Sequence, residues 1–221
     1  MRIIKVVNVG FAVFALFTGL GRGQGLTLSF ANNDGASIVF GGAADTFQFS
    51  AAQNGYQWNI SHETGGSSAV GLQGSILNGP FVYGPITYMD SGLIQTANVL
   101  GPLGQLVISD GTGLLTGTVN LIDITTLFQS VGVINASLSI NVSGITYTGT
   151  NPDLQSLAAH QPASLDLGFT FDPGMSLEQL SSGPGGYDAP FSGNISTVPE
   201  PAEMALAIFG GLSLLWFARW K

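Results

Sequence analysis

The sequence predicts an all-β domain, antiparallel and β-sandwich-like (a jelly roll is one form it can take), with a helix at either end of the chain. Two observations lead there. Between residues 26 and 197, short runs rich in Val, Ile, Thr, Phe and Tyr are separated by turn signals roughly every 8–12 residues, the pattern of a sandwich or barrel. Helical periodicity is scarce outside the two termini.

Taken in order, Leu26–Phe30 alternates apolar and polar residues, as do Thr46–Ser50 and Tyr56–Ile60. Asn54-Gly55 between the latter two is a hairpin signal, because both residues tolerate positive φ. Ala69–Leu77 and Phe81–Met89, divided by Asn78-Gly79-Pro80, read as another antiparallel pair. Gln105–Ser109 and Leu114–Ile122 flank Asp110-Gly111-Thr112-Gly113, a second hairpin. Ala136–Val142, Ile145–Thr148 and Ser164–Phe171 are further strands, and Asn194–Thr197 is a short last one. Thr125–Val133 fits neither period. Asn151 as N-cap and Pro152 at the first helical position open a two-turn helix reaching His160. Ser176–Leu180 is a second, shorter helical candidate, and Ser181–Pro190 is a loop by composition.

The termini read differently. Met1–Lys5 is positively charged, Val6–Leu20 is apolar and Gly19–Gly25 is rich in small residues, so residues 1–25 read as a secretory signal peptide. Gly23 and Gly25, or Gly19 and Gly21, supply the small residues of a cleavage site. At the other end, Pro199-Glu200-Pro201 leads into an apolar run from Met204 to Ala218, closed by Arg219 and Lys221. Fifteen residues make about 22 Å of helix at ~1.5 Å per residue, against a bilayer core of roughly 30 Å. Glu203 at the outer headgroups, with Trp216 and Trp220 at the inner ones, nearly closes the gap, giving a transmembrane helix over 202–218. A buried core helix is the alternative that a run this short permits; the prolines before it and the cations after it favour the membrane.

The triplet, apolar run and terminal cations resemble the PEP-CTERM sorting tail of exported bacterial proteins, here residues 198–221. Such tails also go by the name of an ice-binding protein C-terminal domain. The resemblance implies an exosortase as partner and a transient stay in the inner membrane. It further implies release or anchoring at the cell surface or in the extracellular matrix. Leu115-Thr-Gly-Thr-Val119 and Gly149-Thr-Asn-Pro-Asp-Leu154 resemble phrases in other PEP-CTERM cores, which imply no particular activity.

Composition narrows the function of the region between. All five basic residues, Arg2, Lys5, Arg22, Arg219 and Lys221, lie in the terminal segments or at their margins. Residues 26–198 hold no Lys or Arg and, once Glu200 and Glu203 are set aside, eleven of the thirteen carboxylates. Nucleic-acid binding needs cations against phosphate and is excluded; phosphoryl transfer and binding of anionic polymers are poorly served. The absence of Cys removes thiolate chemistry and disulfides, which a domain of this length does not need.

Catalytic motifs are few. His62-Glu63 is followed by Thr-Gly-Gly, without the second His of a zincin, and His160 at a helix end suits the dipole. Asp166 alternates with Leu165 and Leu167 and so faces away from them. Glu63, Glu178, Asp34, Asp110 and Asp172 fall mainly in turns, where such side chains bond the backbone locally. The Asp-bearing loops supply the hard oxygen ligands that a structural calcium site uses, with no residue singled out. Thr146, Thr148 and Thr150, with Thr116 and Thr118, form two short alternations without a repeat, too little for a flat ice-binding array. Trp58, Tyr56, Tyr83, Tyr88, Tyr147 and Tyr187 offer aromatic platforms for a sugar, although Trp58 in mid-strand reads as core. Asn59, Asn135, Asn141 and Asn194 head Asn-x-Ser triplets.

The expectation is an exported, non-catalytic structural or interaction protein without cofactor or metal. A carbohydrate-binding module or adhesin that contacts extracellular polysaccharide is the alternative, and a glycoside hydrolase the third reading. The charge distribution makes one prediction. Residues 26–198, expressed alone, show no retention on DNA or heparin columns at moderate salt; salt-sensitive retention would overturn the charge argument.

Overall fold

The computed structural model describes residues 25–127 and 136–197. The expected signal peptide, the sorting triplet Pro199, Glu200 and Pro201, the apolar run with Trp216, Arg219, Trp220 and Lys221, and Asn135 lie outside the described residues, as does most of Thr125–Val133. Leu26–Val198 forms one compact unit. Among the described residues no helix is long and apolar enough to cross a membrane.

The chain is all-β. Its strands are β1 (Thr27–Asn32), β2 (Ser37–Phe40), β3 (Thr46–Ser50), β4 (Trp58–Thr64), β5 (Gln73–Leu77), β6 (Phe81–Tyr83) and β7 (Thr87–Met89). There follow β8 (Ile94–Gly101), β9 (Gly104–Ser109), β10 (Leu114–Leu127), β11 (Ala136–Tyr147), β12 (Ala163–Phe169), β13 (Tyr187–Ala189) and β14 (Phe191–Thr197). Two short helices, α1 (Pro152–Ala159) and α2 (Leu177–Ser182), complete the elements.

Pairing runs β11-β12-β14-β1-β4-β5-β9-β10, and β10 pairs again with β11, so eight antiparallel strands close into a barrel. The expected sandwich of two separate sheets is thereby corrected. A sandwich leaves edge strands, whereas here the β10–β11 ladder joins the two ends of the sheet. β10 is fourteen residues long, more than the wall needs. Leu114–Val119 pair with β9 in the barrel, while Asp123–Leu127 pair with β8. From β8 a second sheet continues through β6, β3 and β2 to β13, with β7 following β6 along β8.

Several expected pairings change for identifiable reasons. Asn54-Gly55 does form a turn, with Gly55 at φ 83° donating to the Ala52 carbonyl, but β3 and β4 do not pair across it. β3 joins the second sheet and β4 the barrel. The buried Gln57 amide holds them in place: it donates to the carbonyls of Phe49 (3.2 Å) and Ile76 (3.0 Å) and accepts from the Ile76 amide (2.7 Å). β5 likewise pairs with β4 and β9 rather than with the strand at Phe81–Met89. That strand is broken at Gly84–Ile86 into β6 and β7. Part of the expected 181–190 loop is β13, laid along β2. The expected helices form as read: the Asn151 side chain accepts from the amides of Asp153 and Leu154, and Ser176 with Gln179 makes a reciprocal capping box over α2.

Alternation fills the barrel. Leu28, Phe30, Trp58, Ile60, Ile76, Leu106, Ile108, Leu115, Val119, Val142, Leu165 and Ile195 are buried on their strands, with exposed or half-buried residues between. The second sheet folds across one mouth. There Phe40 meets Phe169 at 5.6 Å, Phe49 meets Phe191 at 5.3 Å and Phe47 meets Phe81 at 5.4 Å between ring centroids. Each fully buried aromatic contributes about 2–3 kcal/mol of transfer free energy, so this cluster is a large part of the core. At the other end Leu154 and Leu157 of α1 are completely buried in the same core.

Trp58 packs at a tilt on Phe30, with ring centroids 4.5 Å apart, and lies against Gly74, where an added Cβ would lie 2.1 Å from the indole ring. Neither ring has room to move in a filled interior. Gly74→Ala is expected to lower the free energy of unfolding by about 1–3 kcal/mol, read by urea denaturation. An unchanged midpoint would mean that the barrel is not packed to this density.

Candidate functional site

Two places concentrate polar chemistry. The first is the barrel end at which the β4–β5 loop, the β9–β10 hairpin and the start of α1 meet. Glu63, at the end of β4, accepts a hydrogen bond from the Ala69 amide at 2.7 Å and so closes its own loop. Asp153, in the first turn of α1, reaches the same loop. It accepts from the amides of Ser67 (3.1 Å) and Ser68 (2.6 Å) and from the Ser68 hydroxyl (2.6 Å). Asn151 donates to the Ser68 carbonyl, and its side-chain oxygen lies 3.1 Å from the Ser68 hydroxyl. Gly66 sits where any side chain would strike the Asp153 carboxylate. Burial of Asp153 works to raise its pKa, but the hydrogen bonds from the Ser68 hydroxyl and from the Ser68 and Ser67 amides outweigh this and hold it below the usual value.

The network continues to the hairpin. The Tyr147 hydroxyl donates to Asp110 and accepts from the Asn151 amide at 2.8 Å. The other Asp110 oxygen accepts from the Thr112 amide (2.8 Å), the Thr112 hydroxyl (2.9 Å) and the Gly113 amide (2.5 Å). The Tyr147 hydrogen bond, followed by these backbone donors, drives the Asp110 pKa well below the ordinary carboxylate range. Desolvation, then Asp110, pushes the Tyr147 phenol up. These carboxylates therefore hold three loops together.

The other expected residues are scattered. His62 lies within β4 and is exposed, as is His160, whose ring contacts the Ser156 carbonyl at 2.8 Å. Asp166 faces solvent between the buried Leu165 and Leu167; Asp34, Asp172 and Glu178 are exposed too. Among the described residues no three His, Asp or Glu side chains come together to hold a metal ion. Trp58 is core. Tyr83 is buried with its hydroxyl 2.8 Å from that of Ser181; burial raises its pKa, which that bond partly offsets. Tyr56 and Tyr187 are half-buried, and Tyr88 alone among the tyrosines is largely exposed. Thr116 and Thr146 share a hydrogen bond at 3.1 Å, but Thr148 is tied to Leu114. The register also shifts between Thr116 and Thr118, so the threonines form no flat array. Asn59 is half-buried, and Asn141 and Asn194 are exposed, Asn194 accepting from the Ser29 hydroxyl.

The second place is a shallow groove of about 370 Å³ on the outer barrel wall, lined by Asn78, Leu103, Gln105, Thr116 and Thr118 over the backbone of Gly104, Gly117 and Gly144. It forms where β11 bulges. Gly144 adopts φ 59°, and the Gln161 side chain takes the place of a strand neighbour by bonding both the amide and the carbonyl of Ile145 at 2.8 Å. Sequence reading passed over this groove because its residues come from four separate segments, three of them glycines with no side chain to mark.

The Asp110–Tyr147 bond makes a pH prediction. A lowered folded-state pKa means that the Asp110 contribution is complete above about pH 4 and is lost as the pH falls further; the raised Tyr147 pKa places that residue's loss above about pH 10. Tyr147→Phe is expected to melt a few degrees below the wild type at pH 7, with the gap narrowing towards pH 2. A gap independent of pH would break the proposed link.

No family model, no curated protein and no solved structure matches this chain.

Proposed function

We propose that the chain is an exported bacterial protein sorted by an exosortase, with a non-catalytic structural or interaction role at the cell surface or in the extracellular matrix. The observation that carries this reading is the Pro199-Glu200-Pro201 tail followed by an apolar run and terminal cations, in a chain that opens with a signal-peptide pattern. The helix over 202–218 holds the precursor in the inner membrane, with Arg219 and Lys221 inside, until the triplet is processed. The filled barrel, covered at both mouths, supports a role exercised from its outer surface. So does the use of Glu63, Asp110 and Asp153 as loop fasteners. The uncharged groove on the wall favours, as a second reading, a carbohydrate-binding module or adhesin.

Sorting is directly testable. In a host that carries an exosortase, Glu200→Ala is expected to leave export intact and to block processing. The product then accumulates in the membrane fraction at higher mass than the processed wild type, as read by mass spectrometry. Truncation before Met204 should release a soluble domain. Wild-type processing of Glu200→Ala would reduce the triplet to a linker and end the sorting assignment.

A further inference from the structure

We propose that the groove on the outer wall of the barrel binds a neutral glycan chain, with Gln105 and Thr118 as its hydrogen-bonding residues and Leu103 as its apolar wall. This deepens the interaction role proposed above and rests on it. The lining decides the ligand class. Asn78 and Gln105 carry amides and Thr116 and Thr118 hydroxyls, groups that both donate and accept, as vicinal sugar hydroxyls do. Among the described residues, the side chains of Asn78, Gln105 and Thr118 make no hydrogen bond within the protein, whereas the comparable amides of Gln57 and Gln161 are engaged on both ends. Leu103, 58% exposed, offers the apolar surface that a pyranose ring covers with its C–H face.

Charge excludes the competitors. No carboxylate lines the groove, so nothing in it selects a cation. Residues 26–198 carry eleven carboxylates and no Lys or Arg, so the net charge of the domain repels an anionic polymer. The floor is glycine backbone, and the groove lies open to solvent, so a chain can lie along it without an end being threaded into a pocket.

The test is affinity electrophoresis of the full-length protein in a polyoxyethylene detergent, which has no sugar headgroup to compete. The gels contain dextran, β-glucan, xylan or galactomannan, with alginate as the anionic control. Retardation is expected in at least one neutral gel and not in alginate. Gln105→Ala, which removes one or two hydrogen bonds, should weaken it about fivefold or more. Thr118→Lys, an exposed position, should abolish it by filling the groove without changing the melting temperature. If Gln105→Ala does not fold, Leu103→Ala at an exposed position gives the same reading. Retardation in no neutral gel, in alginate alone, or undiminished by these substitutions would overturn the proposal. The Glu200→Ala processing assay does not involve the groove, so either idea can fail while the other stands.

Discussion

Everything in this domain depends on the ladder between β10 and β11. It is the pairing that turns a long antiparallel sheet into a closed wall, and β10 then carries a second duty beyond the rim, where its last five residues take up β8. One strand thus belongs to the barrel below and to the second sheet above. Because the two sheets share a covalent strand, the second one is brought back over the mouth of the barrel, and its phenylalanines find Phe169 and Phe191 there. The aromatic core is a consequence of that shared strand.

A second constraint is chemical. A domain with eleven carboxylates and no Lys or Arg has no partner for an ordinary ion pair. Three of the acids instead take backbone amides and hydroxyls: Ser67, Ser68 and Ala69 for Asp153 and Glu63, and Thr112, Gly113 and Tyr147 for Asp110. Hydrogen bonds to an ionised acceptor are roughly twice as strong as neutral ones. They also fix loop geometry, which a flexible ammonium would do less well. The acidic composition that excludes nucleic acid is therefore also what stiffens the loop end.

Most of the strands were legible in the sequence, because alternation and turn residues are local; β2 and β8 were not read, and β13 lies in a stretch read as loop from its composition. Asn151 and Pro152 marked α1 for the same reason, and Ser176–Leu180 was legible as the shorter α2. Pairing was not legible. The Asn54-Gly55 turn is real, yet the strands beside it part company, since the buried Gln57 amide satisfies backbone groups that a hairpin ladder would otherwise serve. Closure is also invisible locally, because it depends on the register of every strand around the ring. The tie between Asp110 and Tyr147 joins residues 37 positions apart, and the groove is framed by glycine backbone, which carries no pattern at all.

The place of β14 has a kinetic meaning. It lies between β1 and β12, and the hydroxyls of Thr27 and Ser196, 169 positions apart, stand 3.1 Å from each other. The wall therefore lacks one stave until nearly the whole domain is available, and until then β1 and β12 each present an unpaired edge. High contact order of this kind slows folding and prolongs the time in which such edges can recruit other chains. For a polypeptide that emerges from its N-terminus, completion waits on the final strand, and the interval before it arrives is when the chain is most exposed to misassembly.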